Sequence, residues 1–205
     1  MDTVTRLIAR LRLDFGPDFL ITLAPVASAL IPNPFIQNAR YPLNPRPQCN
    51  TVPNLSDPTL PHLSGFSYPA LERSVYGREI AWYNTQFYGG WGNARSTSWY
   101  DKIIEAGWNP ERVVLGTMTD PQDESGYVPM DTLINVTVTL REKYRGLGRE
   151  FGGVMGWEYV NSRIDDYDLE GVCTASSLSV ESSGTDWVAR LGSTLRAQES
   201  FDPTG

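Results

Sequence analysis

The chain has 205 residues and a mass of 22.9 kDa, the size of one large domain, and its 40% apolar residues are enough to build a packed core. Lys and Arg number 17 against 24 Asp and Glu, a formal charge of −7 that leaves no basic stripe for phosphates and excludes nucleic acid and anionic membrane surfaces as partners. One histidine, His62, and two cysteines, Cys49 and Cys173, in no C-x-x-C spacing exclude zinc clusters and histidine-based triads, while pairing of the two cysteines stays open.

Taken from the N-terminus, Asp2 and Thr3 are helix caps, Val4, Leu7, Ile8 and Leu11 recur at i, i+3, i+4 and i+7, and Gly16-Pro17 ends the pattern. This predicts an amphipathic helix. Arg6, Arg10 and Arg12 ahead of the apolar stretch 20–30 imitate a secretory signal, but the helical spacing outweighs it; no signal peptide is expected and the compartment is left unassigned. The longest apolar run, 19–31, is interrupted by Thr22, Pro25 and Ser28 and falls short of the ~20 residues that cross a bilayer.

Apolar runs at 19–27, 80–88, 112–118 and 152–159 read as strands, and being apolar on both faces they suit parallel strands covered by helices. Residues 31–71, rich in Pro and Asn, are far longer than the ~2–6 residues of a common α/β loop and mark an insertion, either a functional lid or poorly ordered. A helix follows the second run, with Ser98 and Asp101 as a capping box, Ile103, Ile104 and Ala106 as apolar contacts, and Gly107 with Pro110 at its end. In 129–144, Val136, Val138 and Leu140 alternate like a strand, yet the α/β rhythm predicts a helix. Beyond Ser162, the serines 176, 177, 179, 182 and 183 mark a polar, mobile tail over 163–205 with one helix around 187–195.

Chemistry concentrates at the ends of two runs. Trp82, Asn84, Gln86 and Tyr88 recur at a spacing of two, which projects them from one face near the C-terminal end of a strand, where α/β folds bind ligands. Amide and phenol groups there are hydrogen-bonding partners for sugars, against the alternative of a satisfied core network. Trp157 and Glu158 end the fourth run, an indole able to stack on a pyranose ring, although tryptophan is more often core. Gly89, Gly90 and Gly92 match no phosphate loop, so nucleotide binding has no support. Asp120, Asp123 and Glu124 follow the third run and read as solvated turn carboxylates within reach of a site. Asn54-Leu-Ser56 and Asn135-Val-Thr137 are weak glycosylation sequons.

The strings Phe19-Leu-Ile-Thr-Leu-Ala-Pro-Val-Ala27, Trp82-Tyr-Asn-Thr-Gln-Phe-Tyr88, Arg112-Val-Val-Leu-Gly116 and Gly152-Gly-Val-Met-Gly-Trp-Glu158, in this order, resemble glycoside hydrolase family 18, in its fungal chitinase and endo-β-N-acetylglucosaminidase branch. The resemblance covers residues 1–162 and implies a partial (β/α)8 TIM barrel of four βα units, the runs being strands five to eight. It implies retaining hydrolysis of β-1,4 linkages at N-acetylglucosamine, in chitin or an N-glycan core, in which the substrate's own acetamide attacks while one glutamic acid protonates the leaving oxygen. It also implies that Tyr88 positions the acetamide and that Asn84, Gln86, Tyr88, Trp157 and Glu158 bind substrate, with no metal or cofactor.

The family's D-x-x-D-x-D-x-E string, which carries the acid, is absent from this sequence. The only D-x-D-x-E string, Asp166-Tyr-Asp168-Leu-Glu170, follows the last run and reads as a solvated turn. The expectation is therefore an inactive fragment of a glycosidase, with a non-catalytic, lectin-like carbohydrate-binding protein as the alternative. Partners would be a chitooligosaccharide or N-glycan, with self-association through open barrel edges burying Val113, Leu115 and Leu23.

Overall fold

A computed structural model of the chain describes residues 2–31, 66–158 and 187–199. Residues 32–65 of the insertion, both cysteines, His62, the Asn54 sequon and the Asp166 to Glu170 string fall outside those residues, whereas the end of the insertion forms a helix over Tyr68–Glu72 with Leu71 buried.

The first apolar stripe forms α1 (Asp2–Phe15), with Ile8 in the core and Val4 and Leu11 packed against it. Gly16 ends the helix at φ +80°, and the Arg12 guanidinium donates to the carbonyls of Gly16, Pro17 and Phe19 at 2.6, 2.8 and 2.9 Å. Four parallel strands follow in spatial order: β1 (Ile21–Leu23), β2 (Ile80–Gln86), β3 (Val113–Met118) and β4 (Val154–Trp157). With α2 (Tyr68–Glu72), α3 (Ser98–Glu105), α4 (Met130–Arg145) and α5 (Trp187–Glu199), they make an α/β half-barrel.

The first strand is shorter than its run because Pro25 has no N–H to pair. The chain still follows β2, since Gln86 N donates to Pro25 O at 2.8 Å and Val26 bridges Gln86. In α4 the helix wins over the alternation: Leu133, Val136, Thr137, Leu140 and Tyr144 are buried at helical spacing. Thr137, of the second sequon, has no exposure and donates to Leu133 O, while Asn135 is exposed. The capping box at α3 does not form. Thr97 is the N-cap without a side-chain bond, and the Asp101 carboxylate accepts from Tyr144 Oη and pairs with Lys143 Nζ, both at 2.9 Å. Tertiary partners on α4 outcompete the local cap. The helix expected near the C-terminus is α5, with Trp187 and Leu191 in the core.

Strand register sorts the side chains. Tyr83 and Thr85 on β2, with Val113 and Leu115 beside them on β3, are at most 1% exposed and face the helices; Phe87 continues this face into the core. The opposite, inner face carries Thr22, Trp82, Asn84, Gln86, Val114, Met155 and Trp157. This corrects the expected self-association surface: Val113 and Leu115 already lie in the chain's own core, and Leu23 packs against it, so the open side is the inner face. At the N-terminal end of the sheet, Tyr83 Oη donates to Glu72 Oε2 at 2.6 Å and Arg112 pairs with Glu72. Arg112 also donates to Gly77 O and Ile80 O at 2.8 and 2.7 Å. No helix among the described residues is long and apolar enough to cross a membrane.

Candidate functional site

The inner face meets solvent at the C-terminal end of the sheet, and the candidate residues sit at different depths along it. Trp82 and Asn84 are the deeper pair: Trp82 Nε1 donates to Asn84 Oδ1 at 3.1 Å, and Asn84 Nδ2 reaches Thr22 Oγ1 at 3.5 Å. Asn84 is thereby engaged within the sheet. One step nearer the mouth, Gln86 Nε2 donates to Ala24 O at 2.8 Å, and its Oε1 meets no partner among the described residues.

Beyond β2 the chain turns through Tyr88-Gly89-Gly90-Trp91, closed by Trp91 N to Tyr88 O at 3.1 Å, with φ +64° and +80° at the two glycines. Positive φ at both central positions is the reason for the Gly-Gly pair. The row Gln86, Gly116, Met155 fixes the level of the next row, Tyr88, Met118 and Trp157. Tyr88 is only 6% exposed yet lies outside the core cluster. The β3–α4 loop covers it: Gly89 N donates to Ser125 O at 2.8 Å, and a β-carbon on Gly126 would come within 2.9 Å of Tyr88 Cα. Burial, and after it the charge of Glu124, push the Tyr88 phenol above its usual pKa. Its hydroxyl has no hydrogen-bond partner among the described residues.

Trp157 ends β4 with its indole 52% exposed, an orientation set from behind. A β-carbon on Gly156 would lie 2.5 Å from Thr119 Cγ2 and 3.1 Å from Trp187 Cζ3, so only glycine lets α5 press its indole onto the outer side of the strand. The Trp157–Glu158 peptide is cis. Thr119 pins both residues, its N–H donating to Trp157 O and its Oγ1 to Glu158 O, each at 2.8 Å.

The structure thus brings Gln86, Tyr88, Trp157 and Glu158 to one end of the sheet and leaves Asn84 deeper. Sequence reasoning missed Thr119 and the loop seat at Gly126, which no local pattern marks; Glu124 is exposed, as a solvated turn carboxylate should be, with its carboxylate near Gly89. Asp120 does act locally, accepting from Gln122 N at 2.7 Å. Among the described residues no group of three or more His, Cys, Asp or Glu is placed to hold a metal ion.

No protein-family model and no curated protein matches the chain. Solved structures do. A fungal endo-β-N-acetylglucosaminidase from glycosyl hydrolase family 18 is 45% identical, with TM-score 0.56, over 78% of this chain and 44% of its own. Chitinase ChiC from Aspergillus fumigatus is 41% identical, with TM-score 0.58, over 78% of this chain and 47% of its own. The chain belongs to glycoside hydrolase family 18. It spans less than half the length of both structures, and its four parallel strands are a partial TIM barrel of that family. The end of the family 18 half-barrel that carries Gln86, Tyr88 and Trp157 is the C-terminal one, where barrels of this architecture hold their sites.

Proposed function

We propose that the C-terminal ends of β2 and β4 form a binding surface for β-linked N-acetylglucosamine units, as found in chitin or an N-glycan core. The observation that carries this is Tyr88, a nearly buried phenol whose hydroxyl is left without a partner among the described residues, in the same row as the half-exposed indole of Trp157. Tyr88 donates to the acetamide oxygen, Gln86 Oε1 accepts from a sugar donor, and Trp157 floors the ring, with Glu158 beside it. Asn84 acts through the Trp82 contact instead of touching sugar.

The parent reaction is retaining hydrolysis in which the substrate's acetamide oxygen attacks the anomeric carbon while a glutamic acid protonates the leaving oxygen. Tyr88 orients that acetamide. Because these 205 residues hold no D-x-x-D-x-D-x-E string, they bind without turnover; general acid catalysis alone is worth about 10² to 10⁴ in rate.

Titration with tri-N-acetylchitotriose tests the binding, and a fluorogenic chitobioside tests turnover. Trp157→Ala lowers affinity up to about ten-fold and Tyr88→Phe about two- to ten-fold. Binding that neither substitution changes moves the site elsewhere. Turnover abolished by Glu158→Gln or Glu170→Gln reveals an acid within this chain and contradicts the non-catalytic part of the proposal.

A further inference from the structure

The mouth beside Tyr88 holds a carboxylate that the saccharide reading does not use. Glu124 lies in the exposed loop between β3 and α4, and the Gly89–Ser125 bond and the Gly126 contact seat that loop on the Tyr88 turn. The carboxylate comes down over Gly89, where a β-carbon would lie 2.8 Å from Oε1 and 3.4 Å from Oε2. No Lys or Arg among the described residues forms an ion pair with it. The guanidinium of Arg95, reaching across from the loop between β2 and α3, donates to Tyr127 O at 2.9 Å.

A second observation converges on the same place. Tyr88 is more than nine-tenths buried, keeps its hydroxyl without a partner among the described residues, and feels the Glu124 charge. A neutral phenol donor therefore stands beside an acceptor-only carboxylate. An acetamide oxygen satisfies the first, but only a cation matches the full charge of the second. In an oligosaccharide built on glucosamine, that cation is the ammonium left where an acetyl group has been removed.

We propose that Glu124 makes the sugar position next to Tyr88 selective for a unit with a free amino group, so that this chain favours a partly N-deacetylated glucosamine oligosaccharide over a fully acetylated one. The inference rests on the saccharide-binding function proposed above. Glu124 is exposed, so the preference is modest and salt-sensitive.

Calorimetric titration of the full chain with tri-N-acetylchitotriose and with its singly deacetylated counterpart, at mildly acidic pH where the amine is charged, provides the test. Wild-type protein at low salt binds the amino trimer about three- to five-fold more tightly. High salt shrinks that ratio, and Glu124→Gln brings it to about one. Equal affinities in the wild type, or a ratio that Glu124→Gln leaves unchanged, overturn the selectivity while the binding surface stands. If neither trimer binds, the saccharide reading and the selectivity fall together.

Discussion

The two faces of the four-stranded sheet are built from the same strands but differ in how their polar groups are used. On the helix-covered face, Tyr83, Phe87, Val113 and Leu115 are at most 1% exposed, and most polar groups close on each other: Tyr83 with Glu72, Tyr144 with Asp101, and Tyr100 Oη with the carbonyls of Pro110 and Val113, while Thr117 Oγ1 and Trp187 Nε1 stay buried without a partner among the described residues. On the inner face Trp82, Gln86 and Met155 are half-buried, Trp157 is exposed, and Gln86 Oε1 and the nearby Tyr88 hydroxyl keep no partner among the described residues. Apolar burial contributes roughly 25 cal/mol per Å² and satisfied hydrogen bonds about 1 kcal/mol each, so stability lies with the outer face. Polar groups at a mouth that no neighbouring side chain occupies are the ones a ligand can bond, so recognition lies with the inner one.

A substitution on each face gives the largest expected contrast. Leu115→Ala, which opens a cavity between β3 and the helices, costs about 2–5 kcal/mol, whereas Met155→Ala, half-buried on the inner side, costs less than about 2 kcal/mol. Urea unfolding of both variants measures this, and equal losses would erase the distinction between faces.

Alkaline pH probes the outer face more gently. Burial pushes the phenols of Tyr83, Tyr100 and Tyr144 above their usual value of 10.0, with the Glu72 hydrogen bond adding to Tyr83 and Asp101 to Tyr144. A folded pKa above the unfolded one gives stability that is complete below about pH 10 and is lost as pH rises toward the folded value, by up to about 1.4 kcal/mol per pH unit for each group. Melting temperature should hold steady to about pH 10 and then fall, and Tyr83→Phe should flatten the fall. A decline that begins near neutrality would point to other groups.

The smallest effect expected is association through the inner face. Neither outer edge of the sheet is paired among the described residues, and Trp157 is exposed beside one of them. Sedimentation should show concentration-dependent association that weakens in Trp157→Ser. A single monomeric species at all concentrations, with a sharp melt, would mean that the inner face needs no cover.

Much of this division was legible in the sequence. Strands apolar on both faces leave continuous apolar runs, so all four were found, and the spacing of two put Trp82, Asn84 and Gln86 on one face. Two kinds of feature were not legible. One is which face closes on the helices: Val113 and Leu115 look like Val114 in sequence, and only the register with Tyr83 and Thr85 separates them. The other is contact between loops distant in the chain. Gly126 on Tyr88, Thr119 on Glu158 and Asp101 on Tyr144 are tertiary, and the last displaced a cap that local rules favoured.

The most direct test of the central claim is a map of backbone amide shifts while tri-N-acetylchitotriose is titrated into the labelled protein. The account predicts changes confined to the C-terminal ends of β2 and β4, at Gln86, Tyr88, Trp157 and the Ser125–Gly126 seat, with the Glu72, Tyr83 and Arg112 cluster at the other end unmoved. Changes centred on that opposite cluster or on the helix-covered face would contradict it.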